Sequence, residues 1–375
     1  MANEREYIAT TLGGLEQVLE EELRSIGAGW TEIGTRMVRF RGGYDILYRS
    51  CYTLRTALRV LEPLTSFVIR TEKDLYDRVI DLPWRKILGP DQTFAITPVV
   101  FSTLFPHTNY PSLVVKDALC DRIRKETGRR PSIDKDYPDI RLNLHIHERE
   151  VDISLDAVGS SMHQRGYRRF NGLAPLNEVL AAGMLRLADW TPAKPLLDPM
   201  CGSATLLIEA GEWAIKRPSQ VRRGRFGFQG WLDFDPGLWR RVKQGITDLP
   251  FPAGLDLHGA DMDMEILEGG RSNIRVAGMG EVIETKLQDF FTMPPPKNPG
   301  IVMLNPPYDE RIPLDEAEVY YSKIGDKLKK DFTGSTAWVL SSNKMALKQI
   351  GLKSAKRYPL FNGPLETEFC RYDLF

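Results

Sequence analysis

Asn305-Pro306-Pro307-Tyr308 follows directly on Gly300-Ile301-Val302-Met303-Leu304, an apolar run that reads as a buried strand. Two prolines restrict the backbone so that the Asn305 side-chain oxygen and the Pro306 carbonyl can converge on one point. Two acceptors placed there can hold the hydrogens of an exocyclic amine and turn its lone pair toward an electrophile. Tyr308 can stack on the base that carries the amine. Proline-rich loops also end strands without doing chemistry, so the motif gains meaning from the loops that precede it.

Asp198-Pro199-Met200-Cys201-Gly202-Ser203-Ala204-Thr205 joins a short apolar strand to a helix. Its small residues let backbone N–H groups and a helix N-terminus come close to a ligand. A dinucleotide site would place Gly-x-Gly-x-x-Gly at this turn, whereas here a single glycine follows an opening acid, which disfavours a nicotinamide-linked dehydrogenase. The acid would repel a pyrophosphate and suits an ammonium group, such as that of the methionine end of S-adenosylmethionine. The second strand ends in Gly259-Ala260-Asp261-Met262-Asp263, where an acid commonly accepts ribose hydroxyls. The third ends in Leu287-Gln288-Asp289-Phe290, where a carboxylate can take an adenine amino group. A lone loop acid is usually just solvated, but acids at successive strand ends share one crevice.

The elements that must position these loops alternate strand and helix after about residue 160, which predicts a parallel α/β sheet. Strands are expected at 195–198, 255–260, 281–287, 300–304 and 337–340, with helices over 204–215 and 263–276. Two closing strands, 354–361 and 366–374, join through Asn362-Gly363-Pro364. Before residue 155 the rhythm is α+β. Strands are expected at 7–10, 37–40, 55–64 and 93–97, helices near 15–26, 43–53, 72–81 and 113–125, and a hairpin pairs 140–147 with 151–155 across Glu148-Arg149-Glu150. Residues 217–253, rich in Arg, Gly, Phe and Pro, read as an insertion in the α/β domain.

With 375 residues, two or three domains are expected. Lys plus Arg equals Asp plus Glu at 50 each, which excludes a uniformly basic nucleic-acid coat but leaves room for local patches. Three patches stand out. One is Lys216, Arg217, Arg222, Arg223 and Arg225, interleaved with Phe226, Phe228 and Trp231; a second is Arg165, Arg168 and Arg169 around Tyr167. The third is Arg122, Arg124, Lys125, Arg129 and Arg130. Any one of them could be a solvated face, but three on a neutral chain favour RNA contact through phosphates and unpaired bases. His145 and His147 alternate on the polar face of one strand and, without a third ligand, read as solvated histidines, so no metal is expected. Four scattered cysteines, no long apolar run and a polar N-terminus point to a reducing cytoplasm.

Asp198 to Thr205, Gly259-x-Asp261-x-Asp263 and Asn305-Pro-Pro-Tyr308 together resemble the Rossmann-type S-adenosylmethionine-dependent methyltransferases of amino groups on bases. Val115-Lys116-Asp117-Ala118, Arg130-Pro131-Ser132, the stretch from Ser160 to Arg168 and Leu173-Ala174-Pro175-Leu176-Asn177-Glu178 are similar to the THUMP-containing large-subunit rRNA methyltransferases, which methylate guanine N2 in 23S rRNA. The resemblance covers nearly the whole chain. It implies an α/β fold class with a C-terminal Rossmann-like methyltransferase domain (158–375) preceded by α+β ferredoxin-like (1–62) and THUMP RNA-binding (63–157) domains. It further implies that Asp198 and Gly202 line the methionine end of the cofactor, Asp261 binds the ribose, Asp289 the adenine, and Asn305 to Tyr308 the target base. Met200, Met262 and Asn305 are counted with the cofactor-binding residues, and Arg165, Arg168, Arg169, Lys216, Arg217, Arg222, Arg223 and Arg225 with the RNA-binding ones. Ala204 stands where the family usually has glycine, and its methyl group is expected to crowd the cofactor slightly. Many members carry a second methyltransferase domain; this chain ends at Phe375, so one modification by a monomer is expected. Alternatives with the same motifs are a tRNA guanine-N2 methyltransferase, an adenine-N6 DNA methyltransferase, which leaves the first 155 residues unexplained, and a non-catalytic ribosome-assembly factor.

Overall fold

The computed structural model describes residues 4–89, 91–172, 175–307 and 314–375. Two seven-stranded sheets organise it. The first contains β1 (Arg5–Thr10), β2 (Trp30–Gly34), β3 (Met37–Gly42), β4 (Arg59–Val68), β5 (Phe94–Phe101), β6 (Ile140–His147) and β7 (Glu150–Asp156). Their order is β2-β3-β1-β4-β7-β6-β5, all antiparallel but for β5 beside β6. Helices α1 (Glu16–Ser25), α2 (Tyr44–Thr53), α3 (Glu72–Ile80) and α4 (Tyr110–Thr127) accompany it. The expected border at 62/63 falls inside β4. Its first residues pair with β1 and the remainder with β7, so both N-terminal pieces share one strand and one sheet.

Two prolines test the strand assignments. Pro98 lies in β5, the sheet's edge, where a missing N–H breaks no ladder bond. Pro63 lies in the interior strand β4, and there the pairing register shifts between Pro63 and Thr65. Strand β2 escaped the periodicity reading because it is a mostly exposed edge without apolar alternation.

The second sheet contains β8 (Leu196–Asp198), β9 (Leu257–Asp261), β10 (Ile283–Leu287), β11 (Ile301–Leu304), β12 (Thr336–Ser341), β13 (Lys356–Asn362) and β14 (Leu365–Asp373). Helices α5 (Glu178–Leu187), α6 (Thr205–Ala214), α7 (Pro236–Gln244), α8 (Met264–Ala277), α9 (Leu314–Asp331) and α10 (Lys344–Gln349) connect them. The order β10-β9-β8-β11-β12-β14-β13 reverses direction between β8 and β11, and only β14 pairs antiparallel with its neighbours. Strand β11 is buried at all four positions, as a central parallel strand covered on both faces requires. The topology therefore opens a crevice at the carboxyl ends of β8 and β11, where ligands bind in open α/β sheets.

The segment expected as an insertion is a strap onto the N-terminal sheet. Phe226, Phe228 and Trp231 are 2%, 0% and 6% exposed and belong, with Trp239 of α7, to the N-terminal core. Phe228 stacks on Tyr48 with centroids 4.4 Å apart, and Trp239 meets Tyr52 edge-on at 5.4 Å. The strap runs so close to β7 that a Cβ on Gly227 would stand 2.2 Å from the Asp156 carbonyl oxygen. These aromatics are packing groups; rings buried this deeply offer no face to a nucleobase.

Candidate active site

The carboxyl ends of β8, β9, β10 and β11 deliver Asp198, Asp261, Asp289 and Asn305 to one crevice of about 270 Å³. Met200, Gly202, Met262 and Pro307 line it as well. Pro306 is buried beside them, and Tyr308 lies outside the described residues. Four carboxylates (Asp198, Asp261, Asp263 and Asp289) and no basic side chain are found among its described lining residues. Such a wall repels phosphates and favours a ligand with a cationic end.

Local hydrogen bonds explain how the loop is held. Asp261 accepts the Gly202 N–H at 2.9 Å and the Asp263 N–H at 3.0 Å. Asp263 caps α8 by accepting from the Glu265 and Ile266 N–H groups. Asp198 is nearly buried and accepts only weakly from the Met200 N–H, at 3.3 Å. Burial pushes its carboxyl up to about 7; the Met200 N–H opposes the rise and the charge of Asp261 adds to it. Tyr320 donates to the Met200 sulfur at 3.9 Å, and burial followed by Asp289 and Asp261 lifts its phenol to about 12.

Ala204 is wholly buried and is not part of the crevice wall, so the expected crowding of a ligand by its methyl group does not arise. Its cost lies in the backbone instead, because φ is +61°, a left-handed conformation that glycine adopts freely.

Two residues organise the loop: Asn273, which carries no motif signal, and Arg168, which was expected to hold RNA and instead bonds within the fold. Asn273, fully buried on α8, accepts the Arg169 and Phe170 N–H groups at 2.7 and 3.1 Å and donates to the Phe170 and Ser203 carbonyls at 3.0 and 3.1 Å. It ties the segment entering the domain to the Asp198 loop. The one clue was a polar residue near the Leu267, Gly270, Ile274 face of a helix. Arg168 donates to Glu178, to the Leu176 carbonyl, and to the Ser203 and Thr205 hydroxyls of the same loop.

The arginines expected to hold RNA divide by environment. Arg165 is 2% exposed and spends its guanidinium on Glu209 and on the Met162 and Arg55 carbonyls. Arg222 pairs with Glu212 at 2.6 Å, Arg217 with Asp248 at 2.6 Å, and both donate to the Ala277 carbonyl. Arg223 holds Gln220, Ser160 and the Ser161 carbonyl. These side chains lock the strap, the N-terminal sheet and α6 together, which corrects the expectation that the whole cluster faces RNA. Arg169 and Lys216 are exposed, and Arg225 is half-exposed in a pair with Asp139. The cluster at the end of α4 is largely exposed, and its arginines are paired: Arg122 with Glu126, Arg124 with Asp121, Arg129 with Asp91, and Arg130 with Asp117. Among the described residues, no group suited to a metal ion occurs and no helix is long and apolar enough to cross a membrane.

Known proteins bear on this arrangement directly. Residues 6–61 match the RlmL ferredoxin-like domain, 70–156 the THUMP domain, and 165–370 the RMKL-like methyltransferase domain. A Synechocystis sp. protein named as a candidate RNA methyltransferase is 38% identical over 381 residues, spanning 100% of this chain and 98% of that one. The crystal structure of SMU.472, a candidate methyltransferase complexed with SAH, superposes with a TM-score of 0.89 at 26% identity, covering 100% and 99% of the two chains. A possible methylase from Clostridium difficile 630 gives 0.86 at 25% identity, with the same coverage. The chain belongs to the RMKL-like methyltransferase family, with RlmL ferredoxin-like and THUMP domains ahead of its methyltransferase domain.

Proposed function

We propose that this protein is an S-adenosylmethionine-dependent RNA methyltransferase that methylates the exocyclic N2 amine of a guanosine in 23S rRNA. One observation carries the chemistry: the Asn305 side-chain oxygen is buried at the crevice with no hydrogen-bond partner among the described residues. A buried acceptor left alone costs free energy, and a donor supplied by substrate removes that cost. The acid-lined crevice, with Ile266 and Phe290 as apolar walls, fits a nucleoside that ends in a cationic amino acid. When bound, the cofactor supplies an electrophilic methyl group.

Asn305 and the Pro306 carbonyl hold the two amine hydrogens, and Tyr308 supports the flipped base by stacking. Guanine's amine lone pair is delocalised into its ring, so fixing its direction accounts for much of the barrier reduction. The new N–C bond forms as the C–S bond breaks, and the surplus proton then leaves to water. No strong general base is required.

The test is methyl transfer from radiolabelled S-adenosylmethionine to protein-free 23S rRNA, assembled large subunits and bulk tRNA, all from cells lacking this gene. Label recovered as N2-methylguanosine from 23S rRNA supports the reading. Label confined to tRNA overturns the substrate but keeps the chemistry, and no label on any RNA overturns both.

A further inference from the structure

A second pocket, of about 570 Å³, adjoins the cofactor crevice and shares Asn171, Pro175 and Leu176 with it. One wall is the segment that carries His163, Gln164 and Arg168; the other is the Asn362-Gly363 turn between β13 and β14. That turn lies at the same end of the sheet as Asn305, because β13 ends where β14 begins and β14 begins opposite the carboxyl end of β12. Strand β13 is three positions from β11, a span of about 14 Å at ordinary strand spacing. A base held by Asn305 therefore leaves this pocket free for another part of the same strand.

The second pocket lacks the acid wall of the first. The single carboxylate of this pocket, Glu178, is bound by Arg168 at 2.9 Å. Arg223, on the strap behind it, donates only to neutral partners among the described residues. Burial first, then the charges of Arg165, Arg168, Arg59 and Arg223, hold the His163 imidazole below its usual range, which marks a positive potential. The Asn171 amide and the NH2 of Asn177, whose oxygen caps α5, line the same space and can meet the hydrogen-bonding edges of a nucleobase.

We propose that this pocket receives the nucleotide flanking the methylated one, with its phosphodiester toward the arginine side and its base read by the amides. The proposal rests on the RNA methyltransferase reading and deepens it: the acid-lined crevice takes the cationic cofactor and the neighbouring pocket takes the anionic strand.

Gln164 is exposed on the pocket wall and can change charge without disturbing the core. Methyl transfer to protein-free 23S rRNA should be followed against RNA concentration for wild type, Gln164→Glu and Gln164→Lys, alongside calorimetry with S-adenosylhomocysteine. The KM for RNA should rise about tenfold in Gln164→Glu and fall severalfold in Gln164→Lys, while affinity for S-adenosylhomocysteine stays within about twofold. An RNA KM that does not move with the sign of the charge overturns the proposal. If Gln164→Glu misfolds, seen as lost S-adenosylhomocysteine binding, Gln164→Lys alone decides. If wild type labels tRNA rather than 23S rRNA, the substrate assignment fails, and the same comparison on tRNA still decides the pocket.

Discussion

Asp261 at the end of β9 accepts the backbone N–H of Gly202, in the loop after β8, at 2.9 Å. Its other oxygen accepts from Asp263 at 3.0 Å. Each carboxylate oxygen keeps a second lone pair, so one side chain can fix the loop and still hold a ribose. Replacing Asp261 by Ala is therefore expected to raise the dissociation constant for S-adenosylhomocysteine by roughly 10- to 100-fold, about 1–3 kcal/mol. Isothermal titration calorimetry measures it. An unchanged constant would leave Asp261 as a structural residue only.

Asn305→Ala separates chemistry from cofactor binding. Turnover should fall by two or more orders of magnitude, roughly the loss seen when a dedicated hydrogen-bond acceptor or donor is removed from an active site, with cofactor affinity within a few-fold. Loss of binding as large as the loss of turnover contradicts the assignment.

Burial raises the Asp198 carboxyl from 3.8 to about 7. Between those values the folded chain holds a proton that the unfolded chain has released, so this residue's contribution to stability falls as pH rises through the window and stays lost above it. A ligand's ammonium group reverses the preference by binding the ionised form. Affinity for S-adenosylhomocysteine should rise about tenfold per pH unit up to about 7 and then level off. Asp198→Asn should bind more weakly, with a flat profile. A flat wild-type profile would remove this carboxylate from ligand contact.

Arg165 and Glu209 form a salt bridge at 3.0 Å with both side chains fully buried. Glu209 keeps a second bridge, to Arg55 at 2.8 Å, but Arg165→Met removes the charged hydrogen bonds to Glu209 and those to the Met162 and Arg55 carbonyls, and should cost about 1.5–3 kcal/mol in chemical denaturation. Neutralising exposed Arg169, Lys216 and Arg225 together should instead leave stability within about 1 kcal/mol and reduce the salt slope of RNA binding by up to about three. An unchanged slope returns these three to an ordinary solvated surface.

Ala204→Gly relieves a backbone φ of +61°. The gain should be about 0.5–1 kcal/mol, after allowing for the greater freedom of glycine in the unfolded chain. A fall in melting temperature would show that the buried methyl contributes more through packing than its backbone strain costs.

The sequence alone determined the chemistry-bearing loops and the strands that end in them. Asp198, Asp261 and Asn305 each follow a short, largely apolar run, as a parallel strand covered on both faces requires, whereas Asp289 follows the mostly exposed edge strand β10, with Glu284, Thr285 and Lys286 in it. The family resemblance rests on the same local motifs. What the tertiary structure decided is which charged and aromatic residues are free to meet a ligand. A cluster of arginines and aromatics reads alike in sequence whether it faces water or a core. Only the fold sets Arg165 against Glu209, Arg222 against Glu212, and Phe226, Phe228 and Trp231 among the rings of α2 and α7. These partners lie on elements distant in the chain, and neither periodicity nor spacing encodes such contacts. Asn273 was silent, and Arg168 was read as an RNA-binding residue, for the same reason, since each acts through loop atoms that only chain closure brings within hydrogen-bonding distance.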